Sequence, residues 1–283
     1  MDNLNYAEIW KSTMTHKTAS GNPYREKPET AVSYDRSEKI WTDGYARAAA
    51  FPVEAEDTVL DIGSGPGVLA IPLAGRVKAV TAVEPSETMV ELMLGHAREK
   101  GVQNLRVVNC RWEDADLEQL GSFDHVIASY SLNMPDMETA LVRMNAVARR
   151  QVWLYWFCGV ASWERIRMDL SPAVHGREFV PGPKADLLYG MLSDLGISAH
   201  VVDLEGTSFD RDFPDMQAAI RDIRGRLEVT TSDWDGLFEE YIRTHHEPLD
   251  NGGWRYVDRT HYVCIHWTPV SLRTGIDHDE AQE

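Results

Sequence analysis

The residues whose types and spacing could do chemistry stand together in Val59-Leu60-Asp61-Ile62-Gly63-Ser64-Gly65-Pro66-Gly67. A short apolar run that ends in glycines suits a buried parallel strand. Ligands of a parallel sheet bind outside the carboxyl ends of the strands, where the chain switches direction. Glycines there let the backbone approach a ligand that any Cβ would push away. Asp61 sits at the last turn of the strand, where its carboxylate can orient the loop or reach a polar ligand group. A second apolar strand ends at Glu84, 19 residues beyond Gly65. An acid at that tip is placed to accept hydrogen bonds from both hydroxyls of a ribose. The chemistry implied is recognition of a nucleoside.

A dinucleotide fingerprint reads G-x-G-x-x-G, its third glycine permitting close helix packing and a pyrophosphate resting on the helix N-terminus. Here the spacing is G-x-G-x-G, and Pro66 removes one backbone N–H from the loop, which makes a poorer phosphate cradle. VLDIGSGPG instead resembles the first motif of the class I S-adenosylmethionine-dependent methyltransferases: a hydrophobic strand, an acid, and G-x-G-x-G. The resemblance extends over roughly residues 35–160, with later landmarks in order. Ala82-Val83-Glu84-Pro85-Ser86 is similar to the second motif, with Glu84 in the ribose-binding place. Asn109–Asp114 is similar to the segment along adenine, where the family uses backbone N–H groups and an acid, implying Trp112 and Glu113. Phe123–Ser129 is similar to the fourth-strand motif, whose acid is often structural. The peptide Tyr130–Met134 would run beside the methionine and the transferable methyl.

The resemblance implies S-adenosylmethionine as cofactor, with Asp61, Gly63, Ser64, Gly65, Glu84, Pro85, Trp112, Glu113 and Ser129 around it. It implies direct transfer of the methyl to an acceptor in a single displacement, and the signatures and charge that disfavour other acceptors leave a small organic molecule as the expectation. The acceptor approaches opposite the sulfur, so its pocket draws on Tyr130, Asn133, Trp156 and Cys158, and on Trp10, Tyr34 and His175 from covering segments. Trp156, within Trp-Leu-Tyr-Trp-Phe, reads more readily as core than as pocket, and Cys158 most simply as a small buried hydrophobe. No catalytic base is identifiable. The Asn/Asp-Pro-Pro-aromatic signature of adenine and glutamine N-methyltransferases is absent after the fourth strand, where Ser-Tyr-Ser-Leu-Asn-Met stands. A magnesium site would need acids to partner Asp136, and a cysteine relay would need more than Cys158. His245 and His246 diverge on a helix end, and His261 and His266 point to opposite faces of a strand, so no metal is expected. Two other readings stay open: a non-catalytic S-adenosylmethionine-binding protein, and a NAD(P)-dependent oxidoreductase.

The elements that must position these residues alternate. Strands are predicted at 58–62, 79–83, 105–108, 124–129 and 151–157, with helices at 68–74, from Ser86 as N-cap, and at 136–149 with Met137, Leu141, Met144 and Val147 on one stripe. This alternation gives an α/β, Rossmann-like, doubly wound parallel sheet; the resemblance makes it seven-stranded with the last strand antiparallel. A helix at 184–195, a strand at 200–204 and a last strand at 262–267 follow. Residues 1–50 read as a helical arm, polar and aromatic (Tyr6, Trp10, Tyr24, Tyr34, Trp41), with turns at Gly21-Asn22-Pro23 and Lys27-Pro28. Its helix at 35–50 carries Ile40, Trp41, Tyr45 and Ala48 on one stripe. Residues 51–269 form the methyltransferase domain, with a two-helix insertion at 213–247, and 270–283 an acidic tail.

The 283 residues carry 28 Lys+Arg against 45 Asp+Glu, a net charge of −17. That argues against a nucleic-acid or anionic-membrane partner, both of which need a basic face. The arm is neutral, so the body and tail hold the whole excess. Three cysteines without motif spacing fit a reducing compartment. The first residues show no secretory pattern, and no stretch approaches the roughly 20 apolar residues of a membrane helix. The expectation is a cytoplasmic protein, monomer or homodimer.

Overall fold

A computed structural model describes residues 4–18, 28–204 and 207–272. The acidic end (Asp277, Asp279, Glu280, Glu283), Tyr24 and the Gly21-Asn22-Pro23 turn lie outside the described residues. The helices are α1 (Tyr6–Thr18), α2 (Pro28–Asp35), α3 (Glu38–Ala50), α4 (Ala70–Ala74), α5 (Glu87–Glu99), α6 (Leu117–Leu120), α7 (Met137–Val147), α8 (Ser162–His175), α9 (Ala185–Asp194), α10 (Met216–Leu227) and α11 (Asp235–His245). The strands are β1 (Thr58–Ile62), β2 (Ala79–Val83), β3 (Leu105–Val108), β4 (Phe123–Ser129), β5 (Ala148–Cys158), β6 (His200–Asp203), β7 (Arg211–Phe213), β8 (Glu247–Pro248), β9 (Trp254–Tyr256) and β10 (His261–Trp267). The chain divides into two compact units, crossing between them at 156/157, 182/183, 203/204 and 262/263.

The first unit holds a seven-stranded sheet in the order β3-β2-β1-β4-β5-β10-β6. β1 runs parallel to β2 and β4, and β10 pairs with β6 antiparallel. Val59, Leu60, Asp61 and Ile62 are all buried, as expected of a central parallel strand with both faces covered. Its register sets the site. Ile62 lies opposite Val83 on one side and Ala128 on the other. The next residues, Gly63, Glu84 and Ser129, therefore leave the sheet at one level. Ser86 caps α5 by accepting from the Met89 N–H at 3.4 Å, and Asp136 caps α7 by accepting from Thr139 at 3.1 Å. The predicted stripe Met137, Leu141, Met144 and Val147 is buried.

At the opposite, amino-terminal ends of the central strands the acids are structural. The Thr58 N–H and hydroxyl donate to Asp124 at 2.8 and 2.9 Å. Arg149, with Thr58 and against burial, holds the Asp124 carboxyl well below the usual carboxylate range. Asp57 bonds His125 at 3.1 Å and Arg150 at 2.7 Å.

The arm departs from expectation in detail. The helix predicted at 35–50 begins at Glu38, and two further helices, α1 and α2, precede it in the helical arm, whose earlier helices were given no bounds. Among the described side chains of α1, Trp10 and Met14 are buried, a stripe too thin to stand out in a polar segment. Tyr45, placed on the buried stripe of α3, is 40% exposed, with the Lys100 ammonium 5.4 Å from its ring. Gly44 takes the inward place, because a Cβ there would fall 2.2 Å from Val68 Cγ1. No helix among the described residues is long and apolar enough to cross a membrane.

The second unit, residues 157–182 and 204–262, contains the segment expected as an insertion at 213–247. A three-stranded antiparallel sheet, β7-β9-β8, accompanies α8, α10 and α11. Ile166, Leu170, Ile220, Ile223, Phe238 and Ile242 form its core. Arg211 pairs with Asp222, and Arg224 with Asp235. His175 bonds Leu227 O at 2.9 Å, an anchor within this unit. His245 stacks on Tyr241 at 4.0 Å. His246 is 6% exposed, and its Nδ1 has no hydrogen-bond partner among the described residues.

Burial, with Arg211 and His245 adding to it, pulls the His246 imidazole down to about 4. An unfolded histidine titrates near ~6.5, so between ~6.5 and 4 the unfolded chain binds the extra proton and stability falls with pH. Thermal unfolding across that range should show the midpoint dropping on acidification. The drop should be smaller in His246→Phe; equal drops would mean that another group sets the acid sensitivity.

Candidate active site

The loop after β1 separates two uses of glycine. Gly67 has φ 92°, and a Cβ on it would lie 2.8 Å from Ile71 Cγ1 and Met93 Cγ. Its small size lets α4 and α5 pack together. Gly65 has φ 55°, yet a Cβ on it would meet nothing within 4 Å. That residue faces open space beside the strand tips, where a ligand can come close to the backbone.

Glu84 fixes this loop. Its two carboxylate oxygens accept from the Gly65 N–H and the Ser86 N–H, each at 2.8 Å. The Asn109 side chain donates to Glu84 O at 2.7 Å, and the Gly63 N–H donates to Val83 O at 2.7 Å. A carboxylate oxygen has more than one acceptor direction, so the staple leaves capacity toward a ligand hydroxyl. Asp61 lies beside it, 2% exposed. Its Oδ2 has no hydrogen-bond partner among the described residues. Burial pushes the Asp61 carboxyl up to about 7, against the pull of Arg47 and the Ala70 N–H and with Glu84 nearby.

The other expected residues divide by what their side chains touch. Trp112 is buried, its indole N–H donates to Ala140 O at 3.2 Å, and Arg143 lies 5.2 Å from its ring. Its ring thus belongs to the core against α7, and only its backbone remains for a ligand. Glu113 and Pro85 are half-buried beside it and beside Glu84 respectively. Trp156, expected among acceptor-side walls, is 2% exposed. It donates to Pro183 O at 2.9 Å and packs on Trp10 at 6.2 Å, so it supports from within the core. Trp10 donates to Met134 O at 2.8 Å, which anchors α1 to the segment after β4. Asn133 is exposed in that segment.

One residue at the site escaped the sequence reading. Arg47 of α3 pairs with Asp43 at 2.7 Å and donates to Ser129 Oγ. Its guanidinium lies 5.0 Å from the Tyr130 ring and 5.3 Å from the Tyr155 ring. An arginine four residues after an aspartate on a helix reads as a surface pair, and nothing local signals a partner 82 residues away. Tyr130 has φ 54°, a left-handed conformation that strains a non-glycine residue and is held by its surroundings. Burial, opposed by Arg47 and aided by Asp43, Tyr34 and Cys264, raises the Tyr130 phenol well above its ordinary value. Burial and Cys264 do the same to Tyr155. The Cys264 thiol is pushed up to about 12 by burial. All three stay protonated near neutral pH, so they can donate or accept hydrogen bonds but do not serve as bases.

Known proteins are similar to this chain. Residues 59–151 match a family described as "Methyltransferase domain". A Haemophilus influenzae protein without an assigned role is 26% identical over 219 residues, covering 74% of this chain and 80% of that one. The ubiquinone biosynthesis O-methyltransferase of Xanthomonas axonopodis pv. citri is 36% identical over 100 residues, 35% of this chain and 40% of that one. A stretch of similar length is shared with enzymes named for ribosomal RNA, so this similarity marks the methyltransferase domain and leaves the acceptor open. The YcgJ structure from Bacillus subtilis superposes with a TM-score of 0.55 at 18% identity, covering 83% of this chain and all of that one. Residues 59–151 thus carry a methyltransferase domain, and the chain has the Rossmann-like fold of S-adenosylmethionine-dependent methyltransferases. An open glycine cradle, an acid at the second strand tip and a buried carboxylate oxygen awaiting a donor fit that cofactor.

Gly65 and Gly67 should separate binding from folding. Gly65→Ala should weaken S-adenosylhomocysteine by about tenfold or more in calorimetry, while its left-handed φ costs only about 1–2 kcal/mol of stability. Gly67→Ala should lower the thermal midpoint by about 5 °C or more. The reverse pattern would place the cradle elsewhere.

Proposed function

We propose that this chain passes the methyl group of S-adenosylmethionine to a small organic acceptor in a single displacement. When bound, the cofactor supplies an activated sulfonium methyl; the chain supplies alignment and exclusion of water. Gly63, Ser64 and Gly65 form the backbone cradle, and Glu84, with Pro85 beside it, takes the ribose hydroxyls. The backbone of Trp112 and the Glu113 acid lie along adenine, and Asp61 and Ser129 flank the methionine end. Tyr34, Tyr130 and Asn133 line the acceptor side, with Trp156 packed behind it.

The arm is the observation that supports a small acceptor most directly. Trp10 ties α1 to Met134, and Arg47 ties α3 to Ser129, so segments of the same unit wall the site near the strand tips. A polyanionic acceptor calls for an open basic face, which a net charge of −17 does not favour. Tyr130, Tyr155 and Cys264 remain protonated, so an acceptor atom that is nucleophilic unaided, such as an amine, a thiolate or an ionised oxygen, suits this side of the site.

The test is label transfer. With methyl-labelled S-adenosylmethionine, counts should move into a filtered small-metabolite extract and not into total RNA or protein from the same cells. Label in RNA or protein would overturn the small-molecule reading, and S-adenosylhomocysteine binding without any transfer would overturn the assigned reaction.

A further inference from the structure

The second unit holds a cluster of ionisable side chains that methyl transfer does not use. Arg211 of β7 stands directly opposite Tyr256 of β9, and Asp222 and Arg226 lie one turn apart on α10. Asp222 accepts from both arginines. Arg211 donates to it through Nη1 and Nη2, the latter at 2.7 Å, and Arg226 through Nε at 2.8 Å. The guanidinium carbons of Arg211 and Arg226 lie 5.2 and 5.4 Å from the centre of the Tyr256 ring. The ring of His246, at the end of α11, lies 5.6 Å from the same ring. Three groups able to meet an anion thus gather round one aromatic side chain.

Fastening α10 to β7 needs one two-pronged Arg–Asp pair, which Arg211 and Asp222 already form. Arg226 brings a second cation to a carboxylate already in use. Two arginines and one aspartate leave one positive charge in excess, within a chain of net charge −17. Asp258, the other acid near Tyr256, is taken up by Phe209, Thr260 and Tyr262. Among the described residues Arg226 donates through Nε alone, so its Nη1–Nη2 edge is open, and Arg211 keeps its Nε. The Arg226 side chain is 21% exposed, sheltered yet within reach of a small ion. His246 is buried, and its Nδ1 has no partner among the described residues; a neutral imidazole carries its proton on either nitrogen.

We propose that Arg226, Arg211 and His246 form a binding site for a phosphate group. The edge of a guanidinium takes two oxygens side by side. A carboxylate has no further oxygen to offer, whereas a phosphate keeps a third for Arg211 Nε or His246 Nδ1. Its charge offsets the excess cation and eases the repulsion between two guanidiniums that share one aspartate. The site lies wholly within the second unit and stands apart from the glycine cradle and Glu84.

Calorimetry on the full chain at fixed ionic strength tests the site with inorganic phosphate as the probe. Wild type should bind phosphate saturably in the millimolar range or tighter, and acetate about tenfold more weakly or worse. Arg226→Gln should weaken phosphate by about tenfold or more. Arg226→Lys, which keeps the charge and loses the fork, should fall between the two. Arg255→Gln removes an arginine already paired with Asp212 on the same small sheet, and should stay within about twofold of wild type. Phosphate should also raise the pH at which the His246 ring titrates in proton NMR by about one unit or more, since a nearby anion favours the imidazolium. Glycerol 3-phosphate binding more tightly than inorganic phosphate would mark an organic phosphate as the ligand, and weaker binding the free ion. No saturable binding by wild type, equal losses in Arg226→Gln and Arg255→Gln, acetate as tight as phosphate, or an unmoved His246 titration would each overturn the assignment.

Discussion

The site depends on the parallel register of β1 between β2 and β4. Because Ile62 stands opposite both Val83 and Ala128, three chains emerge from the sheet side by side at Gly63, Glu84 and Ser129. A shift of a single residue would turn every side chain of β1 to the other face and carry Asp61 away from the others. The hydrogen bonds from Gly65 and Ser86 to one Glu84 carboxylate join the loop after β1 to the start of α5. The same side chain thus shapes the loop and presents the acid expected to meet a ribose.

Asp61 illustrates a cost that the fold bears at the tip of β1. Burying a carboxylate without a full set of donors is unfavourable, and its carboxyl is accordingly raised toward neutrality. The apolar neighbours of β1 and the surrounding ladder hold it there regardless. A binding site that leaves its polar groups unmet until a ligand arrives gains affinity from completing them. Across from it, Asp43 holds the Arg47 guanidinium in place, and its Nη1 donates to Ser129 at the end of β4.

The −17 charge is distributed between distinct roles. Asp57 and Asp124 bind cations and backbone at the amino-terminal ends of the central strands, away from the site, where they secure strand ends. Asp43 neutralises Arg47. Asp61 and Glu84 are the acids at the strand tips with a ligand in prospect. Most of the others lie on the surface, and their sum bears on solubility and on which partners are repelled.

How much was legible in the residues follows from how local each signal is. β1, β2 and β3 appeared at their predicted bounds because a buried parallel strand is a short apolar run with glycine or polar punctuation, all of it contiguous. The Ser86 cap and the α7 stripe were legible for the same reason, and the glycine spacing pointed to a nucleoside ligand unaided. The thin apolar stripe of α1, the inward turn of Gly44 and the core placement of the Trp112 and Trp156 rings were not. Each depends on a neighbour distant in sequence: Trp10 on Met134, Gly44 on Val68, Trp112 on Ala140, Trp156 on Pro183. Arg47 is the clearest instance, since along the chain its evident partner is Asp43, and only folding brings Ser129, Tyr130, Tyr155 and Asp61 around it. The sequence by itself determined the strands and the glycine spacing, because those are written in adjacent residues, and its resemblance to a known family supplied the cofactor class. Tertiary structure alone decided which side chains face that cradle, because facing is settled by packing between segments that the chain keeps far apart.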